Sequence, residues 1–161
     1  MKLMGETFTH AVERRNMEYA LHNRLAIEDL VTSISTNFIN ISCDDIDREI
    51  NKTLKIIGEF SGVDRCAIFV SSDDGMTVEY LYEWNAPDVN KTERMMEGIN
   101  LEPFQWFRKK ISLFDIIHIP RISDLPGEAG KEKEFWTGAG IKSLLSIPML
   151  IYNNLKGFLT L

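Results

Sequence analysis

The stretch "RCAIFVSSDDGMTVEYLYEW", residues 65–84, constrains the fold more than any other. Two runs rich in β-branched and aromatic residues flank Asp73-Asp74-Gly75, and an Asp-Gly pair favours the positive φ that a tight hairpin turn needs. Arg65 to Ser72 and Met76 to Trp84 are therefore predicted as neighbouring antiparallel strands. The closing segment, "GIKSLLSIPMLIYNNLKGFLTL" from Gly140 to Leu161, repeats the device around an Asn-Asn turn. Its two strands are apolar almost throughout, so both of their faces need cover. Pro148 lies inside the first of them and cannot donate to a ladder, which predicts a bulge or an unpaired position there.

Helical spacing dominates the N-terminal third. From about Ala11 to Ile41, Ala20, Ile27, Ile34 and Ile41 recur seven apart, with Leu30, Val31 and Phe38 on the same face, which predicts one long amphipathic helix. Its first half is the more polar, so residues 1–26 read as a connector helix and 27–161 as the domain proper. The same spacing fits a parallel dimer seam through Ile27, Ile34 and Ile41, or more plainly a core helix with a frayed start. Ser42 and Asp45 fit a capped helix start, and Ile46, Ile50, Leu54, Ile57 and Phe60 mark one face of a second helix that Ser61-Gly62 stops. Residues 85–100 show no period and read as a loop. Pro103 opens a short helix carrying Phe104, Phe107 and Ile111 on one side. "DIIHIP" is a short strand ended by Pro120, and "GKEKEFWTGAG" is a last short helix whose charge run, Lys131 to Glu134, reads as solvent-facing. This order, with at least five strands, predicts an α+β fold: a central antiparallel sheet with long helices on one face and short helices and loops over the other.

Bulk properties remove several function classes. The net charge is −6 and the pI about 5.1, which disfavours nucleic acid and anionic membranes as partners. Cys43 and Cys66 are the only cysteines and form no C-x-x-C pair, so neither a metal site nor a disulfide framework is supported and a reducing cytoplasm is the simplest home. No signal peptide and no apolar span of about 20 residues is present.

The phrases "GVDRCAIFV" after a helix, "PFQWF" opening a short helix, "IPRISDLPGEAGKEKEFWTGAGIKSLLSIPML" and "LKGFLTL", in this order, resemble the GAF domain, a sensory module of signalling proteins. The resemblance covers roughly Ile27 to Leu161. It implies a sheet of about six antiparallel strands with a ligand pocket under the middle helices. The family adds a further strand and a return helix after the phrase matching "GFLTL", so the expectation is a C-terminally truncated module. It also implies a cytoplasmic, non-enzymatic domain of a signal-transduction protein such as a histidine kinase, binding an unidentified small molecule, pairing as a homodimer through the N-terminal helices, and covalently linked to an output domain. The bilin-attachment motif is absent, nothing marks a haem or metal site, and the N-K-x-x-F-D-E phrase of cyclic-nucleotide binders survives only as "NKTLKII" and "NKTERMM". Two other readings remain: a dimerisation and relay module without a ligand, and a free-methionine-sulfoxide reductase, whose clustered pocket cysteines Cys43 and Cys66 do not match.

The expected ligand-binding set is Trp84, Trp106, Phe107, His118, Arg121, Trp136 and Ser146. Aromatic rings with a few placed polar groups are how small ligands are held, although each ring serves equally well as core. His118 sits between Ile117 and Ile119 and can face a pocket or solvent; His10 and His22 read as solvated. Ser146, between Leu145 and Ile147, is a hydroxyl that needs a partner if buried. Arg121 lies with Asp124 and Glu128 on a loop placed at the pocket rim.

Overall fold

The computed structural model describes residues 2–39, 41–87, 89 and 98–161. By its contacts the chain divides into two units, Met1–Glu49 and Ile50–Leu161. The first is mostly a single helix, α1 (Lys2–Ile39), which starts earlier than the spacing suggested. Pairs four residues apart, Arg14 with Glu18 at 2.9 Å and Arg24 with Glu28 at 3.0 Å, line its exposed surface. The apolar stripe is partial: Leu30, Ile34 and Phe38 are half-buried and Ile27 and Val31 exposed, while in the polar first half Val12, Met17, Tyr19, Leu21 and Leu25 are exposed and spread round the axis. The next helix, α2 (Ile46–Ser61), opens through a tight turn at Cys43–Asp45. There the Ser42 carbonyl accepts the Asp45 N–H at 3.0 Å while the Ser42 hydroxyl makes no cap bond, so the predicted side-chain cap is replaced by a backbone one. Gly62, at φ +64, ends the helix as expected.

Six strands form one sheet in the order β3-β2-β1-β6-β5-β4, each adjacent pair antiparallel. They are β1 (Arg65–Ser71), β2 (Thr77–Asn85), β3 (Ile99–Asn100), β4 (Ile117–Ile119), β5 (Leu144–Ile151) and β6 (Asn154–Thr160). In the first hairpin Gly75 takes φ +67 and the Asp74 carboxylate accepts the Ser72 hydroxyl and the Met76 N–H, two bonds that hold its carboxyl below the ordinary range. The second hairpin turns one residue early: Tyr152 and Asn153 take positive φ, and Asn154 already begins β6. β3 lies inside the stretch read as loop, of which residues 88 and 90–97 fall outside the described residues.

Pro148 fits its strand for a definite reason. Leu145 and Leu161 exchange both backbone hydrogen bonds, so alternation turns the backbone of Ser146 and Pro148 away from β6. β4 begins opposite Ser146 and runs on to Leu144, which leaves Pro148 outside the paired stretch, where a missing N–H breaks no ladder bond. The expected bulge follows at once, between Met149 and Leu150.

A second bulge decides which side chains face where. Ile68 pairs with Tyr82 and Phe69 with Tyr80, so Leu81 is an extra residue in β2. Ahead of it Val78 and Tyr80 share the front face with Phe69 and Ala67. Past it the alternation is inverted: Glu83 and Asn85 come to the front, opposite Ala67 and Arg65, while Tyr82 and Trp84 go to the rear, opposite Ile68 and Cys66. At the rear the Trp84 ring lies against Gly58 of α2, where any Cβ would run into it.

The front face carries the core, in which Ala67, Phe69, Val78 and Phe158 meet Phe107 and Ile111 of α3 (Gln105–Ser112). The last helix, α4 (Gly130–Gly138), follows tight turns at Ile122–Asp124 and Gly127–Ala129 and brings Trp136 to the same cluster. The Lys131–Glu134 run is not wholly surface. Glu132 is 1% exposed, and its Oε1 accepts the Phe107 N–H at 3.0 Å, satisfying one of the donors that the start of α3 leaves open. Among the described residues no helix is long and apolar enough to cross a membrane.

Candidate functional site

Between the front of the sheet and the short helices lies a cavity of about 680 Å³. Its aromatic wall is continuous: Tyr80 meets Phe69 edge-on at 5.0 Å, Phe69 stacks on Phe158 at 5.0 Å, and Phe158 meets Phe107 at 5.1 Å. Phe107 in turn meets Trp136 edge-on at 5.9 Å, so the rings pass from sheet to α3 to α4. Edge-to-face and offset contacts of this kind add to plain burial and stiffen the wall they make. Phe104 and Phe135, 5.0 Å apart, also line the cavity.

The polar side is concentrated where β1 begins and β2 ends. Arg65 lines the cavity, and its Nε donates to Asn85 Oδ1 at 2.8 Å and lies 3.3 Å from Glu83 Oε1. The Tyr80 phenol is pushed up, first by burial and then by its hydrogen bond to Glu83. Asp64, His118, Lys142 and Thr160, with Ser61 and Ser143, add to the polar lining. Of the residues singled out from sequence, the structure brings Phe107, Trp136 and His118 to the cavity, the last as an exposed side chain on edge strand β4.

The other four lie elsewhere. Trp84 is on the rear face, sent there by the bulge at Leu81. Trp106 packs on the core cluster but does not line the cavity. Arg121 is exposed and its Nε pairs with Asp124 at 2.8 Å, which is enough to account for both charges and for the lowered Asp124 carboxyl. Ser146 shares the front face with Thr160 and Ile117 but is fully buried and does not line the cavity, and its Oγ has no hydrogen-bond partner. Sequence reasoning missed Arg65, Tyr80, Glu83 and Asn85. Alternation along β2 counts Tyr80 together with Trp84, and no residue type announces an inserted position.

Cys66 also lies at the rear, paired with Trp84, and burial pushes its thiol from the ordinary 9.0 up to about 12. A thiol so protonated is a small apolar group rather than a nucleophile.

No curated protein matches the chain in sequence. Solved structures do match in fold. The phycocyanobilin-bound GAF domain of a cyanobacterial phytochrome superposes with a TM-score of 0.67 at 15% identity, covering 83% of this chain and 77% of that one. The phycoerythrobilin-bound GAF domain from a cyanobacterial phytochrome gives 0.67 at 14% identity, covering 85% and 81%. The GAF domain of an Acinetobacter phosphoenolpyruvate-protein phosphotransferase gives 0.57 at 12% identity, covering 84% and 75%. At such identities the likeness speaks for the fold alone. The GAF domain family model, however, matches residues 45–161, the whole of the sheet and the helices that roof it, and the chain therefore belongs to the GAF domain family.

Proposed function

We propose that this chain is a ligand-sensing domain of a cytoplasmic signal-transduction protein, with a histidine kinase as the output to which it is joined. The observation that carries the reading is the cavity of about 680 Å³, walled by rings and furnished with a few fixed polar groups, within the size range typical of small-molecule sites. Two of the similar GAF domains are bilin-bound, which supports ligand binding under this sheet. A bilin tethered as a thioether to Cys66 does not fit here, because Cys66 faces away from the cavity. The same placement, with its raised thiol, argues against a methionine-sulfoxide reductase. The domain is itself non-catalytic, and a ligand acts by favouring one of two arrangements to the extent that it binds them unequally.

A thermal-shift screen of small metabolites, followed by calorimetry on each hit, tests the reading. Hits that Phe107→Ala weakens support it, and a screen without any hit removes it. Downstream coding sequence with a phosphoacceptor histidine supports the kinase assignment; a cyclase or phosphodiesterase there replaces it. A second reading, a homodimeric relay through α1, is favoured by Ile27 and Val31, four residues apart on α1 and 50% and 57% exposed. Sedimentation at high concentration tests it: a dimer that Ile27→Glu dissociates supports the reading, and a monomer ends it.

A further inference from the structure

Arg65 is held in an unusual way. Its side chain is only 25% exposed, its Nε donates to Asn85 Oδ1 and is ion-paired at 3.3 Å with Glu83 Oε1, which accepts no hydrogen bond, and its terminal Nη nitrogens have no hydrogen bond among the described residues. A guanidinium has five N–H donors in a rigid plane, and occupying the Nε corner leaves the paired Nη edge for a partner with two parallel acceptors. Two side chains fix the group in advance, so a partner meets it with little ordering left to do.

The charge around it selects the partner's sign. The chain as a whole carries −6. Among the described residues the fixed charges lining the cavity are nevertheless two cations, Arg65 and Lys142, against one acid, Asp64. Glu83 offsets part of the Arg65 charge, so the site takes at most one negative charge and disfavours a phosphate dianion. The Tyr80 phenol shares Glu83 with Arg65, and from the Tyr80 ring the aromatic wall runs to Trp136.

We infer that the ligand of this cavity is an aromatic carboxylate, its ring among Tyr80, Phe69, Phe107 and Trp136 and its carboxylate bridging the two Nη nitrogens of Arg65. This rests on the sensory reading above and sharpens it to a chemical class. Asn85 and Glu83 are positioning residues that act through Arg65.

Calorimetry on the full chain with matched probes tests the inference: 2-naphthoate and indole-3-acetate against 2-naphthamide and indole-3-acetamide, with inorganic phosphate alone as a further arm. The acids are expected to bind at least about ten-fold more tightly than the amides, since a charge-assisted bidentate contact is worth about ten- to a hundred-fold. Arg65→Gln should remove that margin and leave amide affinity unchanged, while Arg65→Lys restores part of it. Asn85→Ala, which leaves the guanidinium intact, should weaken the acids a few-fold. Equal binding of acids and amides, acid affinity unmoved by Arg65→Gln, Arg65-dependent binding of phosphate alone, or no binding of either acid at millimolar concentration each overturns the inference. Cavity binding by a neutral or cationic compound from the wider screen overturns the carboxylate class but keeps the sensory reading; no small-molecule binding at all overturns both.

Discussion

Replacement of Glu132 tests whether a buried carboxyl group from α4 organises α3. Its Oε1 lies 3.0 Å from the Phe107 nitrogen, the third residue of α3, and at 1% exposure no solvent stands by to take its place. Glu132→Ala leaves that N–H buried without an acceptor, which costs about 1–3 kcal/mol, and the lost side-chain packing brings the total to about 2–4 kcal/mol. For a chain of this length each kcal/mol lowers the melting temperature by about 2–4 °C, so a fall of about 4–16 °C is expected by circular dichroism. Glu132→Gln keeps an acceptor of the same reach and should lose no more than about 1 kcal/mol. Amide hydrogen exchange should accelerate first at Phe107 to Ile111, the turns that the bond secures. An Ala variant melting within about 2 °C of the parent, or a Gln variant as damaged as the Ala one, refutes the reasoning.

The remaining expectations concern packing and titration. Gly58→Ala gains up to about 1 kcal/mol of helix propensity but drives a methyl into the Trp84 ring, and should lower the urea midpoint with a changed tryptophan emission; an unchanged midpoint means the ring moves freely. Gly157→Ala sets a Cβ against the Phe69 carbonyl inside the sheet and should cost at least about 2 kcal/mol by the same assay. Of the two thiols, exposed Cys43 should react with a disulfide reagent at once and Cys66 only as fast as the chain opens; two rapid equivalents would contradict the buried placement. Because folding raises the Cys66 thiol from 9.0 to about 12, its contribution to stability is complete below pH 9 and declines as pH rises towards 12, by up to about 1.4 kcal/mol per unit. Cys66→Ala should flatten that slope between pH 9 and 11, and a slope that persists unchanged assigns it to other groups.

Much of the scaffold was legible because local chemistry dictates it. Asp74-Gly75, Gly62 and Pro120 punctuate the chain where the structure turns or stops, and the two hairpins alone required an antiparallel sheet. The misplacements share a physical origin in positions where tertiary context overrides a periodic rule. Strict alternation puts Trp84 on the face of Tyr80, and the bulged residue between them, Leu81, reverses it. Glu132 sits in a run of alternating charge whose other members are exposed or half-exposed, and only the open N–H at Phe107 explains its burial. Phe107 and Trp136 were legible as cavity residues because a short helix has one apolar side to offer. Arg65 was not, since an arginine at a strand start is ordinarily solvated.

The supernumerary position at Leu81 has an evolutionary side. Because each later residue of β2 takes its face from its partner on β1, deleting that one codon would straighten the strand yet keep Glu83 and Asn85 opposite Ala67 and Arg65 and Tyr82 and Trp84 opposite Ile68 and Cys66. A receptor lineage could thus gain or lose this residue by a three-base indel without exchanging the groups that grip Arg65. Length is free to drift at this one point of the strand, where the identity of the gripping side chains is not.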